Sequence, residues 1–161
     1  MRIITLLLLW TASPLSAQVT RVLFIGNSYT YSNDLPGLFT QLAGSLGNTV
    51  ETAMVAPGGF TFEGHTTNPA TQNAIAQGDW DVVVLQEQSQ RPSFPPAQVA
   101  QEVYPFAEQL VQQIAAANPC ARSVFLMTWG REDGDQQNCA SYPPLCTYTG
   151  MQQRLWESYV A

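Results

Sequence analysis

The chain of 161 residues has no lysine: its six basic side chains are all arginines, set against twelve acidic residues. A net charge of −6 leaves no basic patch of the kind phosphate backbones require, so nucleic acid is excluded as a partner. The missing lysine also rules out a phosphate-cradling Gly-x-x-x-x-Gly-Lys loop. One histidine and three cysteines form no zinc-ligand cluster. Asp133 and Asp135 lack the glycine spacing and closing glutamate of a calcium loop. No metal or organic cofactor is expected. Charged residues are only 11% of the chain, and Gln, Asn, Ser and Thr supply much of the polarity, which suits an exported protein.

Long apolar runs are also scarce. The one at the start, Ile3 to Trp10, is interrupted only by Thr5; Met1-Arg2 precedes it, and Leu15-Ser16-Ala17 offers small residues for cleavage. The run falls short of the ~20 residues that span a bilayer. Residues 1–17 therefore read as a secretory signal peptide. Residues 18–161 form one domain, secreted or periplasmic and free of the membrane after cleavage. Cys139 and Cys146 lie in a loop-like stretch with Ser141, Pro143 and Pro144. A disulfide between them would stabilise the short loop by about 2.5 kcal/mol, consistent with an oxidising compartment. Cys120 is left over, either as a buried thiol or with its partner elsewhere.

Strands and helices alternate along the mature chain. Strands are expected at 21–25, 49–55, 81–85 and 123–128, and helices at 35–46, 70–76, 97–117 and 149–159. Asp81-Val82-Val83-Val84-Leu85 is β-branched and apolar, as a central parallel strand would be. Val99, Val103, Phe106, Leu110 and Ile114 form one stripe on the long helix, which Pro105 should kink. The alternation predicts a flavodoxin-like three-layer α/β/α sandwich with a parallel sheet of four strands. A fifth strand should follow the last helix, so the sequence reads as the N-terminal part of a longer protein.

The most informative stretch is Val22-Leu23-Phe24-Ile25-Gly26-Asn27-Ser28-Tyr29-Thr30. A buried strand ends at Gly26, whose lack of a side chain suits a tight turn, and a serine follows two residues later. Ser28 would stand at the carboxyl end of the strand, where open α/β sheets hold their ligands. A nucleophilic serine needs a base, a group to orient that base, and donors for the oxyanion. The Ser28 amide, the Pro57-Gly58-Gly59 turn after the second strand, and a carboxamide from Gln86 or Gln88 after the third are candidate donors. The competing reading of Ser28 is an ordinary serine in a helix N-terminal turn.

Gly26-Asn27-Ser28-Tyr29-Thr30 resembles the first block of the SGNH (GDSL-like) hydrolase superfamily, with asparagine in place of the usual aspartate. Gly58 and Gly59 resemble the second block, whose glycine amide lines the oxyanion hole. Leu85-Gln86-Glu87-Gln88-Ser89 stands where the third block usually reads Gly-x-Asn-Asp, and is similar to the glutamine version in some carbohydrate acetylesterases. The resemblance implies a serine esterase with Ser28 as nucleophile, Gly58 or Gly59 and Gln86 at the oxyanion, and Asn27 and Gln88 near the substrate. A small or carbohydrate-linked ester would be the partner. The family's Asp-x-x-His block is absent, so the His–Asp pair is expected beyond Ala161, and this chain alone should be nearly inert.

Three other features carry open readings. His65 is either a surface histidine capping a helix or loop, a substrate contact, or a substitute base. Trp129 and Arg131 follow the fourth strand, as a substrate wall with Trp129 stacking on a sugar ring and Arg131 gripping an acid or hydroxyl, or as parts of a loop pinned by Cys139–Cys146. Glu87 reads as a solvated carboxylate rather than an acid catalyst. The alternatives to an esterase are a non-catalytic glycan-binding module on the same scaffold and, more weakly supported, a flavodoxin-like phosphate or nucleotide binder.

Overall fold

A computed structural model describes residues 19–161; the expected signal peptide, residues 1–17, lies outside the described residues. Strands β1 (Thr20–Ile25), β2 (Val50–Val55), β3 (Val82–Leu85) and β4 (Arg122–Phe125) form one parallel sheet in the order β2-β1-β3-β4. This is how flavodoxin-like sheets begin, with the ligand crevice where the order reverses between β1 and β3. Val22 faces both Thr52 and Val82, and Ile25 faces both Val55 and Leu85, so β1 is paired on both sides along its apolar run. β1 and β3 are the central strands, as the sequence of the third strand implies; β4 is an edge among the described residues, with Val124 and Phe125 exposed.

The helices are α1 (Ser28–Tyr31), α2 (Leu35–Ser45), α3 (Phe62–Thr67), α4 (Pro69–Ile75), α5 (Pro96–Glu102), α6 (Tyr104–Ala117) and α7 (Tyr148–Val160). Side chains alternate along the strands. Leu23, Ile25, Val83 and Leu85 point to one face, where they meet Phe62, Ile75, Val99, Val103, Leu110 and Ile114 from α3 to α6. On the other face α2 packs against the sheet, with Phe39 edge-on to Phe24 at 5.8 Å. The layers are thus helix, sheet, helix. None of the described helices is long and apolar enough to cross a membrane.

The single kinked helix expected over 97–117 is instead two helices. Val103 leaves helical geometry (φ −121°, ψ −58°) between α5 and α6. Pro105 lacks an N–H and would strike the carbonyl four residues before it in a continuous helix. At the second position of α6 it needs no donor, so the chain breaks just before it. The helix α3 was not legible in the sequence, because Phe62-Glu63-Gly64-His65-Thr66-Thr67 has no apolar period. Its start is fixed by Thr61, whose side chain accepts from the Gly64 amide at 3.1 Å.

Cys139 and Cys146 are joined in a disulfide, and Cys120 is exposed rather than buried. The bridged loop leads into α7. There Leu145, Met151 and Leu155 bury themselves against Phe94 and Tyr142.

Candidate active site

Ser28 is the first residue of α1, half-buried at the carboxyl end of β1. Its amide is one of the first-turn N–H groups that a helix leaves without an intrahelical acceptor. It opens onto a crevice of about 430 Å³ whose walls include Tyr29, Leu38, Gln86, Met127 and Trp129. No Asp, Glu, His, Lys or Arg side chain lines this crevice. Trp129 is 59% exposed, and its ring lies 5.0 Å from that of Tyr29.

The turn that delivers Ser28 is held by side chains rather than by an unusual glycine conformation. Gly26 is absent from the positive-φ residues, so the expected need for a special turn is replaced by a packing reason. A Cβ at Gly26 would stand 2.2 Å from Thr30 Oγ1 and 2.7 Å from Gln86 Oε1. Those two groups fill its place. Gln86 is fully buried; its Oε1 accepts from the Asn27 amide at 3.1 Å and from the Thr30 hydroxyl at 2.9 Å. Its carboxamide carries two N–H hydrogens, and one goes to the Glu87 carbonyl.

Asn27, expected near the substrate, is 2% exposed and does not line the crevice. Its Oδ1 accepts from the Tyr29 amide at 3.2 Å, capping α1, and its Nδ2 donates to the Phe60 carbonyl at 2.9 Å. Asparagine suits this place because it both accepts and donates, tying the loop after β1 to the loop after β2. Gly58 and Gly59 are exposed in the turn Pro57–Phe60, closed by Phe60 N–H to the Pro57 carbonyl at 3.2 Å. Gly59 takes a φ of +70°, the third-position geometry of a type II turn. Gly58 lies 3.5 Å, from its would-be Cβ, to the Tyr31 hydroxyl on α1; neither glycine lines the crevice.

His65 is not a surface residue, and it does not line the crevice. It is fully buried in α3. Its Nε2 lies 2.8 Å from the Gly26 carbonyl and its Nδ1 2.8 Å from Thr71 Oγ1. A carbonyl can only accept, so Nε2 carries the proton and Nδ1 accepts from the hydroxyl. Burial lowers its pKa, only partly offset by the bond to Gly26, which keeps the ring neutral. Both nitrogens are engaged, and the ring ties α3 to the end of β1.

Gln88 and Arg131 also lie away from the crevice lining. Gln88 Oε1 accepts from the Gln90 and Arg91 amides at 2.9 and 3.2 Å, shaping the 3-10 turn Arg91–Ser93. Arg131 pairs with the fully buried Asp135 at 3.1 Å and donates to Gln90. Its guanidinium thus braces the segment that leads into the bridged loop.

Glu87 overturns the expectation of a solvated carboxylate. It is fully buried. Its carboxyl accepts from the Phe62 amide at 3.0 Å and from the Gln88 amide. Burial drives its pKa from 4.5 up to about 7, against the pull of those two amides and of Arg91. Sequence reasoning passed over it because a carboxylate between two glutamines looks solvent-facing. Thr30 was likewise not singled out, though its hydroxyl is buried on Gln86.

No protein-family model and no curated protein matches the chain. Among solved structures, a DUF4886 family protein from Bacteroides uniformis ATCC 8492 matches with a TM-score of 0.71 at 16% identity, over 89% of this chain. TesA matches with a TM-score of 0.56, also at 16% identity, over 88% of this chain. The chain spans 62% of the length of the first and 73% of the second. What it shares with both is the α/β fold.

Proposed function

We propose that Ser28 is the nucleophile of a serine ester hydrolase of the SGNH type, acting on a small or carbohydrate-linked ester. One observation carries the reading: Ser28 opens the helix after β1, at the point where the strand order reverses, and faces an uncharged crevice walled in part by Tyr29 and Trp129. Ser28 Oγ attacks the ester carbonyl, and the first-turn amide of Ser28 donates to the oxygen as it gains charge. The Gln86 carboxamide, on the crevice wall, is a further donor proposed from the family resemblance, as is Gly58 or Gly59 from the turn outside the crevice lining. Removing one such donor typically costs on the order of 3 kcal/mol in the transition state. His65 does not serve as base. The family resemblance implies a histidine–aspartate pair for that role. Without that pair, only the residual catalysis of the oxyanion groups and binding remains, about 10³–10⁴ over water. The protein is proposed to be exported, its disulfide forming in an oxidising compartment.

A serine-directed fluorophosphonate should label the intact protein and fail to label Ser28→Ala. If the folded protein carrying the completed pair is not labelled, the esterase reading is wrong. The second reading, a glycan-binding module, draws on the exposed Trp129 against Tyr29. It predicts saturable binding of neutral oligosaccharides, lost in Trp129→Ala, with no labelling of Ser28.

A further inference from the structure

A second cavity, of about 180 Å³, lies against the opposite face of the sheet from the Ser28 crevice. Successive residues point to opposite faces: Gln86 and Leu126 line the crevice, whereas Glu87 and Phe125 line this cavity. Its walls are mainly apolar, with Phe62 edge-on to Phe125 at 5.9 Å and Val103 and Ala107 from the helix side. A cavity of about 150 Å³ with apolar walls is large enough for benzene.

Two polar groups meet this apolar space. The Glu87 carboxyl is fully buried; Oε1 accepts from two amides, but Oε2 accepts only from that of Phe62. A carboxylate has about four acceptor sites, so Oε2 retains capacity. The Tyr159 hydroxyl is buried beside the Glu87 backbone amide, which can donate to its oxygen, and its own proton has no acceptor among the described residues. It is near enough to Glu87 for that charge to raise its pKa, after burial itself. Ser158, also on the cavity wall, is already committed, donating to the Pro92 carbonyl at 2.5 Å.

We infer that this cavity is a binding site for a compact, neutral aryl or alkyl alcohol, held between the Glu87 carboxyl and the Tyr159 hydroxyl. A ligand hydroxyl can donate to Oε2 while accepting from the tyrosine, satisfying both groups with one atom. A carboxylate would be repelled by Glu87 and has nothing to donate. An ammonium is attracted by an ionised Glu87, but it offers donors only, so the tyrosine proton stays without an acceptor, and it must shed its hydration in an apolar space. The inference does not depend on Ser28 or on the esterase reading.

The test is titration of the isotope-labelled protein with benzyl alcohol at one pH unit above 7, where Glu87 is ionised, followed by amide NMR. Saturable shifts at Phe62, Glu87 and Gln88, without shifts at Tyr29 or Trp129, are expected. Toluene, which lacks the hydroxyl, and benzylamine should each bind at least about tenfold more weakly. Tyr159→Phe keeps the ring and should weaken benzyl alcohol about five- to tenfold. Ala107→Leu should fill the space and abolish binding; if that variant does not fold, Tyr159→Phe decides alone. Absence of saturable binding, which would mean a water-filled cavity, overturns the inference. So does binding that maps to the Trp129 crevice, equal affinity for toluene or benzylamine, or a folded Tyr159→Phe with unchanged affinity.

Discussion

Replacing Glu87 with glutamine should change how stability depends on pH more tellingly than it changes stability at any one pH. In the folded chain burial raises this carboxyl from 4.5 to about 7; Arg91 and the amides of Gln88 and Phe62 pull it down, and Glu63 pushes it up. Between those two values the folded state keeps a proton that the unfolded chain has released. The folded state then binds more protons, so stability falls as pH rises through the window and levels off above about 7. The separation of about 2.5 between the two pKa values corresponds to roughly 3 kcal/mol. Glutamine does not ionise, so the stability difference between parent and Glu87→Gln should move by about that amount across the window. His65 acts in the opposite sense. Its folded pKa is lowered from 6.5, so the unfolded chain takes up its proton first and stability rises with pH up to that value. This contribution is common to both proteins and cancels in the difference. In the variant the carboxamide NH₂ must face one of the amides that Glu87 accepts, which costs about 1–3 kcal/mol at every pH. Urea unfolding of both proteins, from pH 4.5 to one unit above 7, gives the two curves. Parallel curves would refute the buried, proton-holding Glu87.

Gly26→Ala should destabilise the fold by about 1–3 kcal/mol, because its methyl would stand 2.2 Å from Thr30 Oγ1 and 2.7 Å from Gln86 Oε1; an unchanged urea midpoint would contradict this packing. His65→Ala should lose about 2–5 kcal/mol, since it opens a cavity and leaves the Gly26 carbonyl unpaired. Chemical denaturation measures that loss, and a neutral result would remove His65 from the scaffold. Trp129→Ala should leave the melting temperature nearly unchanged, since the ring is 59% exposed, while lowering kcat/KM for aryl or glycosyl esters about tenfold. Equal kcat/KM in variant and parent would take Trp129 out of substrate binding.

The layer order and the carboxyl-end placement of Ser28 were legible because they follow from local signals. Val22 to Ile25 and Val82 to Leu85 are short apolar runs, and each is closed by a change of composition. The break before Pro105 was legible as a disturbance but not as a full stop. Its outcome depended on whether the chain kinks or restarts, and restarting turns the missing N–H into no loss at all. The polar placements share one difficulty. Asn27, His65, Glu87, Gln88 and Arg131 are polar, and their types say nothing about whether the partner is solvent, substrate or backbone. Each proved to hold a protein group: the Phe60 carbonyl, the Gly26 carbonyl, the Phe62 amide, the Arg91 amide and Asp135. Three of those contacts join segments 25 to 39 residues apart, beyond the reach of any local pattern.

The same contacts explain how a four-residue helix can present Ser28 in a fixed position. An isolated turn of helix is unstable, because nucleation orders several dihedrals for one hydrogen bond. Here the loop after β1 is fixed from three directions: Gln86 of the loop after β3 accepts from the Asn27 amide and the Thr30 hydroxyl, Asn27 donates to Phe60 of the loop after β2, and His65 of α3 donates to Gly26. All four groups on the loop flank Ser28 without using its hydroxyl or its first-turn amide. Long-range polar bonds thus supply the order that the short helix cannot supply for itself. Gln86 sits on both sides of this arrangement, as a brace for the loop and as a wall of the crevice. Gln86→Ala should therefore destabilise the fold and weaken Ser28 labelling together, whereas a donor acting on substrate alone would lower labelling at constant stability. Measuring both on the same variant separates the two roles.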